Sequence, residues 1–317
     1  MTPVYSIVVP LYNEEEVINE TYKRIREVMD SLHEPYELIF INDGSSDKTW
    51  EIAKAFAEDD KSLKLICFSR NFGHQIAITA GMDNASGQAV VVIDADLQDP
   101  PSVIPQMIAK WKEGFQVVYG KRLKRKGEGF FKKFTAKAFY RSLNAMTDVQ
   151  LPVDTGDFRL IDRSVCDALK SLPERNRYVR GLVSWVGFRQ TSVPYVREER
   201  FAGKTKYPLR KMLKLASDAI TSFSYKPLKM STWLGIFIAA ISFIFLIVIV
   251  IQRLFFPGTV LMSGWASLAA ISLFFNGIVL IMLGIIGQYV GRIYDEAKGR
   301  PLYLTRETVN IEVVSTK

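Results

Sequence analysis

The chain has 317 residues, enough for one large domain or two smaller ones with a sizeable core. Its 41 Lys and Arg against 33 Asp and Glu leave a formal net charge of +8, which suits nucleic acid, anionic lipid or phosphorylated substrates without choosing among them. Cys67 and Cys166 lie far apart with no ligand spacing, which argues against a disulfide framework or a zinc site and fits a reducing compartment.

No signal peptide is visible at the N-terminus, because YSIVVPLY (5–12) reads at once as a short buried strand. NEEEVINETYKRIREVMDSL (13–32) is predicted as a helix, with Asn13 as its N-cap, acids in the first turn and bases later. YELIFINDG (36–44), LKLICFSR (63–70) and QAVVVIDAD (88–96) are predicted strands, and helices are expected over 45–59 and about 74–85. Strands that are apolar throughout, alternating with helices, imply a parallel sheet covered on both faces. Ligands of such sheets sit beyond the carboxyl ends of the strands. Pro10, Tyr12, Asn13, Glu14, Asn42, Asp43, Arg70, Asn71, Asp94 and Asp96 would all gather on that rim.

FQVVYGKR (115–122) is expected to be a fifth strand, VDTGDFRLID (153–162) a strand with a turn, and FRQTSVPYV (188–196) strand-like. Between them KRLKRKGEGFFKKF (121–134) is strongly basic, with Phe130, Phe131 and Phe134 interleaved. It is either a solvated loop or a segment that meets lipid headgroups while the rings enter the interface. Segment 208–229 is a second interfacial candidate. STWLGIFIAAISFIFLIVIVIQRLFF (231–256) has no charge before Arg253, and the next charged residue is Arg292. Each apolar run exceeds the roughly 20 residues that cross about 30 Å of hydrocarbon. A buried helical hairpin in a soluble core is the competing reading, but it would carry a polar face. Lys226 and Lys229 precede the first run, and Arg292, Lys298 and Arg300 follow the second. Both ends are therefore expected in the cytoplasm, with the 256–265 turn outside.

The densest chemistry is VVVIDADLQDPP (90–101). A DxD pair at a strand end can hold Mg2+ or Mn2+ against a diphosphate, since these hard ions take one or two carboxylates together with phosphate oxygens. Gln98 offers an amide oxygen, and Asp99 is expected to cap or turn the chain ahead of Pro100.

VVPLYNEEE, INDGSSDKT, SRNFGHQIAITAG, DADLQDPP, TGDFRL and ERFAGKTKY occur in that order. Together they resemble glycosyltransferase family 2 with the GT-A fold. More narrowly the chain is similar to the polyprenyl-phosphate glycosyltransferases: bactoprenol glucosyltransferases, undecaprenyl-phosphate aminoarabinose transferase and dolichol-phosphate mannose synthase. The resemblance covers about residues 4–300. It implies an α/β fold, a GT-A (Rossmann-like) mixed-sheet catalytic domain over 1–205. Interfacial amphipathic helices over 206–229, transmembrane helices over 230–256 and 261–291, and a cytosolic tail over 292–317 would follow.

It further implies that Pro10, Tyr12, Glu14, Ile41 and Asp43 hold the nucleotide base and ribose, and that Asp94 and Ala95 continue that pocket into Asp96. Asp96 and Gln98 would ligate the metal, Arg122 would meet the phosphate of the lipid acceptor, and Arg200 and Lys206 would close over the diphosphate. The implied reaction is inverting, from a nucleotide sugar to polyprenyl phosphate, at the cytoplasmic face of the cell membrane. Asp157 is the candidate base. A phosphate monoester has its second pKa near ~6 and needs little deprotonation, so Asp157 is expected to position the acceptor as much as to take a proton.

UDP-glucose is the expected donor and undecaprenyl phosphate the expected acceptor, with GDP-mannose, UDP-N-acetylglucosamine and UDP-aminoarabinose as alternatives. A processive polysaccharide synthase would carry QxxRW and more spans, and neither is found. A non-catalytic membrane scaffold fits the retained acids poorly. Nucleic acid is not expected, since no nucleic-acid motif accompanies the charge. A homo-oligomer is an open expectation, because two-span anchors gain from association. His74 is read either as reaching the rim or as making a helix-start hydrogen bond, Asp154 as structural, and Trp185 as packing.

Overall fold

The computed structural model describes residues 2–123, 155–172, 174–198, 224–255 and 265–311. Strands β1 (Tyr5–Leu11), β2 (Tyr36–Asn42), β3 (Leu63–Phe68) and β4 (Ala89–Val92) alternate with helices α1 (Ile18–Asp30), α2 (Thr49–Asp59) and α3 (His74–Asn84). Then come α4 (Ile104–Lys112), β5 (Val117–Arg122), β6 (Thr155–Asp162), α5 (Arg163–Ser171), α6 (Val179–Trp185) and β7 (Gln190–Tyr195). Two long helices, α7 (Lys226–Phe255) and α8 (Trp265–Ala297), precede a last strand, β8 (Thr305–Val309).

All eight strands form one sheet in the order β7-β5-β6-β4-β1-β2-β3-β8. The pairs β4/β1, β1/β2 and β2/β3 are parallel, as the apolar strand runs imply, while β6 and β8 enter antiparallel. The sheet is therefore mixed, as the GT-A resemblance implies.

The continuous apolar runs have a direct cause: both faces of the central strands are covered. Side chains alternate between faces along each strand. Tyr5, Ile7, Val9, Leu38, Phe40, Leu65 and Val91 enter one core, with α1, α2 and α4. Val8, Ile39, Ile41, Ile66, Phe68, Val90 and Val92 enter the other, beneath α3, α5 and α6. Helix α3 lies so close to the sheet that a Cβ on Gly81 would overlap Val8 and Ile41, which accounts for a glycine inside a helix despite its propensity cost of about 1 kcal/mol. Cys67 and Cys166 are free and buried. Trp185, expected to pack, is 57% exposed.

Helix α1 starts later than its sequence pattern suggests, and Asn13 is not its N-cap. Asn13 adopts φ 53, and its Oδ1 accepts from the N–H of Ser46 at 2.9 Å. The carboxylate of Glu15 accepts from the N–H of Lys48 at 3.0 Å, and the N–H of Glu14 donates to Thr49 Oγ1 at 2.8 Å. The acidic run thus ties the loop after β1 to the loop after β2 rather than opening a helix.

Among the described residues two helices, α7 and α8, are long and apolar enough to cross a membrane, and none of either apolar window is buried in the protein. At 30 and 33 residues they measure roughly 45 and 50 Å. They are longer than the runs 230–256 and 261–291: α7 begins with Lys226 and α8 ends at Ala297. Of the segment 292–317, expected as a cytosolic tail, residues 292–297 finish α8 and Thr305–Val309 form β8, which pairs with β3. There Trp50 Nε1 donates to Glu307 at 3.0 Å, Tyr303 stacks on Phe68, and the Asn310 amide donates to the carbonyls of Ala57 and Leu63, each at 2.9 Å. The strand covers an edge that would otherwise stand open to pairing.

Candidate active site

Four strands of one direction end on one rim, and the three that follow join it. Because β6 runs antiparallel to β4 with Val92 opposite Arg159, Asp157 emerges beside Asp94. Because β5 and β7 run together with Arg122 opposite Tyr195, those two residues reach the same rim. Across the sheet the rim presents Asp43, Tyr12, Asp94 and Asp96, Asp157, then Arg122 and Arg197.

Asp43, 3% exposed, accepts from the N–H groups of Phe72 at 2.7 Å and Gly73 at 3.0 Å. Burial raises its carboxyl, and these amides work against that rise. Tyr12 is 41% exposed and stands open to the rim. The side chain of Ile41 is fully buried in the core under α3, so only its backbone is left to line a pocket. Pro10 is a buried β1 residue one place from the strand end, and Ala95 is buried with its carbonyl accepting from Thr21 Oγ1 at 2.7 Å.

At the end of β4 the donors are all oxygens. Asp96 Oδ1 accepts from the N–H of Gln98 at 3.1 Å, and the intervening Leu97 is held at φ 57, a conformation that costs a branched side chain about 1–3 kcal/mol. Burial raises the carboxyl of Asp94 to about 6, with His74 opposing the rise, and its Oδ1 is buried without a hydrogen bond. Among the described residues no three His, Cys, Asp or Glu side chains group as a metal cage. Asp96 and Gln98 fit a hard divalent ion whose shell is completed by phosphate oxygens and water, while Asp94 Oδ1 faces His74 at 3.4 Å.

Asp157 is 5% exposed and surrounded by donors. Arg180 grips it with Nε at 2.8 Å and Nη2 at 3.1 Å, while His74 Nε2 and Gln75 Nε2 each lie at 3.2 Å. Arg159, buried beside it, is 3.9 Å away. Burial alone would raise the Asp157 carboxyl, but Arg180 and His74 overcome it and hold the group well below the usual carboxylate range. His74 also lies 3.4 Å from Asp94. Burial lowers the imidazole's pKa, yet the two carboxylates prevail and lift it to about 9.

His74 is thus a charged bridge between two strand ends, not a mere helix-start residue. Its folded value lies above the ~6.5 of an unfolded chain. Its protonation therefore stabilises the fold fully below about 6.5, and that contribution is lost as pH rises through about 9. In the window from pH 7 to 10 Asp94 and Asp157 are already ionised and Arg180 stays charged. The gap in Tm between wild type and His74→Gln should narrow steadily across that window in thermal unfolding of the detergent-solubilised protein. A gap independent of pH would show that His74 is neutral.

Asp99 is also more than a turn residue. It is completely buried, accepts from Arg122 Nη2 at 3.2 Å and from the Tyr195 hydroxyl, and lies 3.7 Å from Arg197 Nε. Sequence reasoning passed over Gln75, Arg159, Arg180, Tyr195 and Arg197. The usable signal was a buried strand carboxylate in TGDF, which requires cationic partners. Arg200, Lys206, Asp154, the phenylalanines at 130, 131 and 134, and segment 206–223 lie outside the described residues.

The profile of glycosyl transferase family 2 matches residues 6–170. The chain is 61% identical to an uncharacterized glycosyltransferase, YkcC, of Bacillus subtilis, across 97% of this chain and 95% of that one. It is 46% identical to an uncharacterized glycosyltransferase, sll0501, of Synechocystis, across 98% of each. To the SfII prophage-derived bactoprenol glucosyl transferase of Shigella flexneri it is 44% identical, across 96% of this chain and 97% of that one.

Proposed function

The chain belongs to glycosyl transferase family 2, and from that membership we propose that it transfers glucose from UDP-glucose to undecaprenyl phosphate at the cytoplasmic face of the cell membrane. The observation that carries this reading is the order of groups along one rim: the buried carboxylate of Asp43, the oxygen donors Asp94, Asp96 and Gln98, the clamped carboxylate of Asp157, then the guanidinium groups of Arg122 and Arg197. A domain so equipped is joined to two exposed apolar helices, which suits a lipid acceptor. Similarity over nearly the whole length to a protein named bactoprenol glucosyl transferase supports the same acceptor and sugar.

In this reading Pro10, Tyr12, Glu14, Asp43 and the Ile41 backbone hold the uracil and ribose, and Asp94 and Ala95 continue the pocket. Asp96 and Gln98 would hold Mg2+ or Mn2+; when bound, the ion supplies positive charge to the departing diphosphate. Arg200 and Lys206 close over that diphosphate, and Arg122 meets the acceptor. An acceptor phosphate oxygen attacks the anomeric carbon and forms the new C–O bond. The bond to the β-phosphate oxygen breaks, its electron pair leaves with UDP, and the configuration inverts from α to β. No proton need move when the acceptor is already dianionic.

Asp157, charged and clamped, orients the acceptor or a sugar hydroxyl. The guanidinium of Arg122 packs against Gly156, where an added Cβ would lie 2.5 Å from Nη2. The acceptor side of the site therefore adjoins Asp157 directly.

The test is a donor panel: full-length protein, undecaprenyl phosphate, Mg2+ or Mn2+, and radiolabelled UDP-glucose, UDP-N-acetylglucosamine, UDP-aminoarabinose and GDP-mannose. Lipid-extractable label from UDP-glucose is the expected result. Transfer from GDP-mannose or UDP-aminoarabinose alone would replace the sugar assignment, and label that never enters the lipid fraction would sink the acceptor.

A further inference from the structure

Two guanidinium groups share one carboxylate on the acceptor side of the rim. Asp99 is saturated by Arg122 and the Tyr195 hydroxyl. Arg197 reaches the same carboxylate only at 3.7 Å, and its Nε is buried with no hydrogen-bond acceptor. The neighbouring acid does not neutralise it, because the Glu198 carboxylate is drawn to Arg24 at 3.3 Å. Among the described residues Arg122 and Arg197 thus share the nearest carboxylate, Asp99, with Asp96 a weaker influence on Arg197. A buried donor without a partner is costly and uncommon in a folded protein, and a guanidinium donor is best satisfied by an anionic acceptor.

The corner's place bears on the anion. In strand order Arg197, after β7, and Arg122, at the end of β5, lie on the far side of β6 and its Asp157 from β4, while the loop after β4 reaches across to them through Asp99. The N–H of Glu198 donates to the carbonyl of Gln98 at 2.9 Å, so the Arg197 segment is fixed relative to the β4 loop rather than floating. A displacement that inverts the anomeric carbon needs its nucleophile on the side away from the leaving diphosphate. Burial and the facing Arg122 lower the Arg197 pKa, and Asp99 and Asp96 only partly oppose them.

We propose that Arg197 binds the phosphate monoester of the acceptor, forming with Arg122 one seat whose frame is Asp99 and Tyr195. This rests on the polyprenyl-phosphate reading above. Guanidinium groups suit the role because they present paired donors to two phosphate oxygens at once.

The test uses the full-length protein with UDP-glucose and undecaprenyl phosphate, comparing wild type with Arg197→Gln and Arg197→Lys. Arg197→Gln is expected to raise the KM for the acceptor by about 10- to 100-fold, with the KM for UDP-glucose within about twofold and the Lys variant intermediate. A rise in donor KM with acceptor KM unchanged would assign the seat to the diphosphate and overturn the proposal. So would unchanged constants, or a fall in kcat and Tm alone, which marks a structural residue.

A second measurement, independent of turnover, is equilibrium binding of farnesyl phosphate. Binding by wild type that weakens at least tenfold in Arg197→Gln supports the seat even if no donor is turned over, in which case only the functional reading fails. Equal binding by both proteins overturns the seat.

Discussion

Asp157→Asn is expected to destabilise the domain by about 3–5 kcal/mol, the range for removing one partner of a buried ion pair. The substitution leaves Arg180, Arg159 and His74 as three cations around a neutral amide, where the native carboxylate takes two bonds from Arg180 and one each from His74 and Gln75. For a domain of this size the fall in Tm should be roughly 6–20 °C. Turnover should fall by about 10²–10⁴-fold, the scale of a lost positioning or proton-transfer group. Nucleotide binding should survive, because Asp43 and Tyr12 stand on other strands.

The same clamp makes Asp157 a poor proton acceptor near neutrality. Its folded value lies below the unfolded one, so its contribution to stability is present above about 4 and is lost only as pH falls through the lower folded value. Measuring kcat/KM and Tm of wild type and Asp157→Asn from pH 5 to 9 checks both statements. Turnover near the wild-type level at every pH would remove Asp157 from the reaction, whether as base or as positioning group.

Asp96→Asn should have the opposite profile: little loss of stability and a large loss of rate. Asparagine keeps an oxygen able to accept the N–H of Gln98, so the turn survives and stability should move by less than about 1 kcal/mol. The substitution removes the charge that would help hold the divalent ion, and turnover should drop by about 10³-fold, the scale of losing electrostatic stabilisation of a departing oxyanion. EDTA should bring the wild type down to a similar rate and should barely change the variant further. Full activity of wild type in EDTA would exclude the metal assignment to Asp96 and Gln98.

Much of the fold was legible because the strands are apolar on both faces and the turns between them are marked by polar residues. β2, β3 and β5 fall within two or three residues of their predicted spans. Asp43, Asp94, Asp96, Asp157 and Arg122 meet on one rim because topology alone carries them there.

The rest was hidden by distance along the chain. His74 finds Asp157 83 positions away, and Tyr195 finds Asp99 96 positions away; no local pattern marks either pairing. Asn13 looked like a cap because its sequence context suits one, but its side chain serves a tertiary bond to Ser46 instead. TRETV in β8 is polar and largely exposed, so it carries no strand periodicity, and its place comes from the open edge of β3.

That last strand constrains the membrane passage by parity. The chain leaves the sheet after β7 and rejoins it at β8, beside β3. A polypeptide that ends in the compartment where it started has crossed any intervening bilayer an even number of times. Among the described residues α7 and α8 are the apolar helices between those points; if they account for the passage, both cross or neither does, because a single crossing would break the β3–β8 ladder. The Asn310 and Trp50 hydrogen bonds thus hold closed a loop that a bilayer can thread only an even number of times.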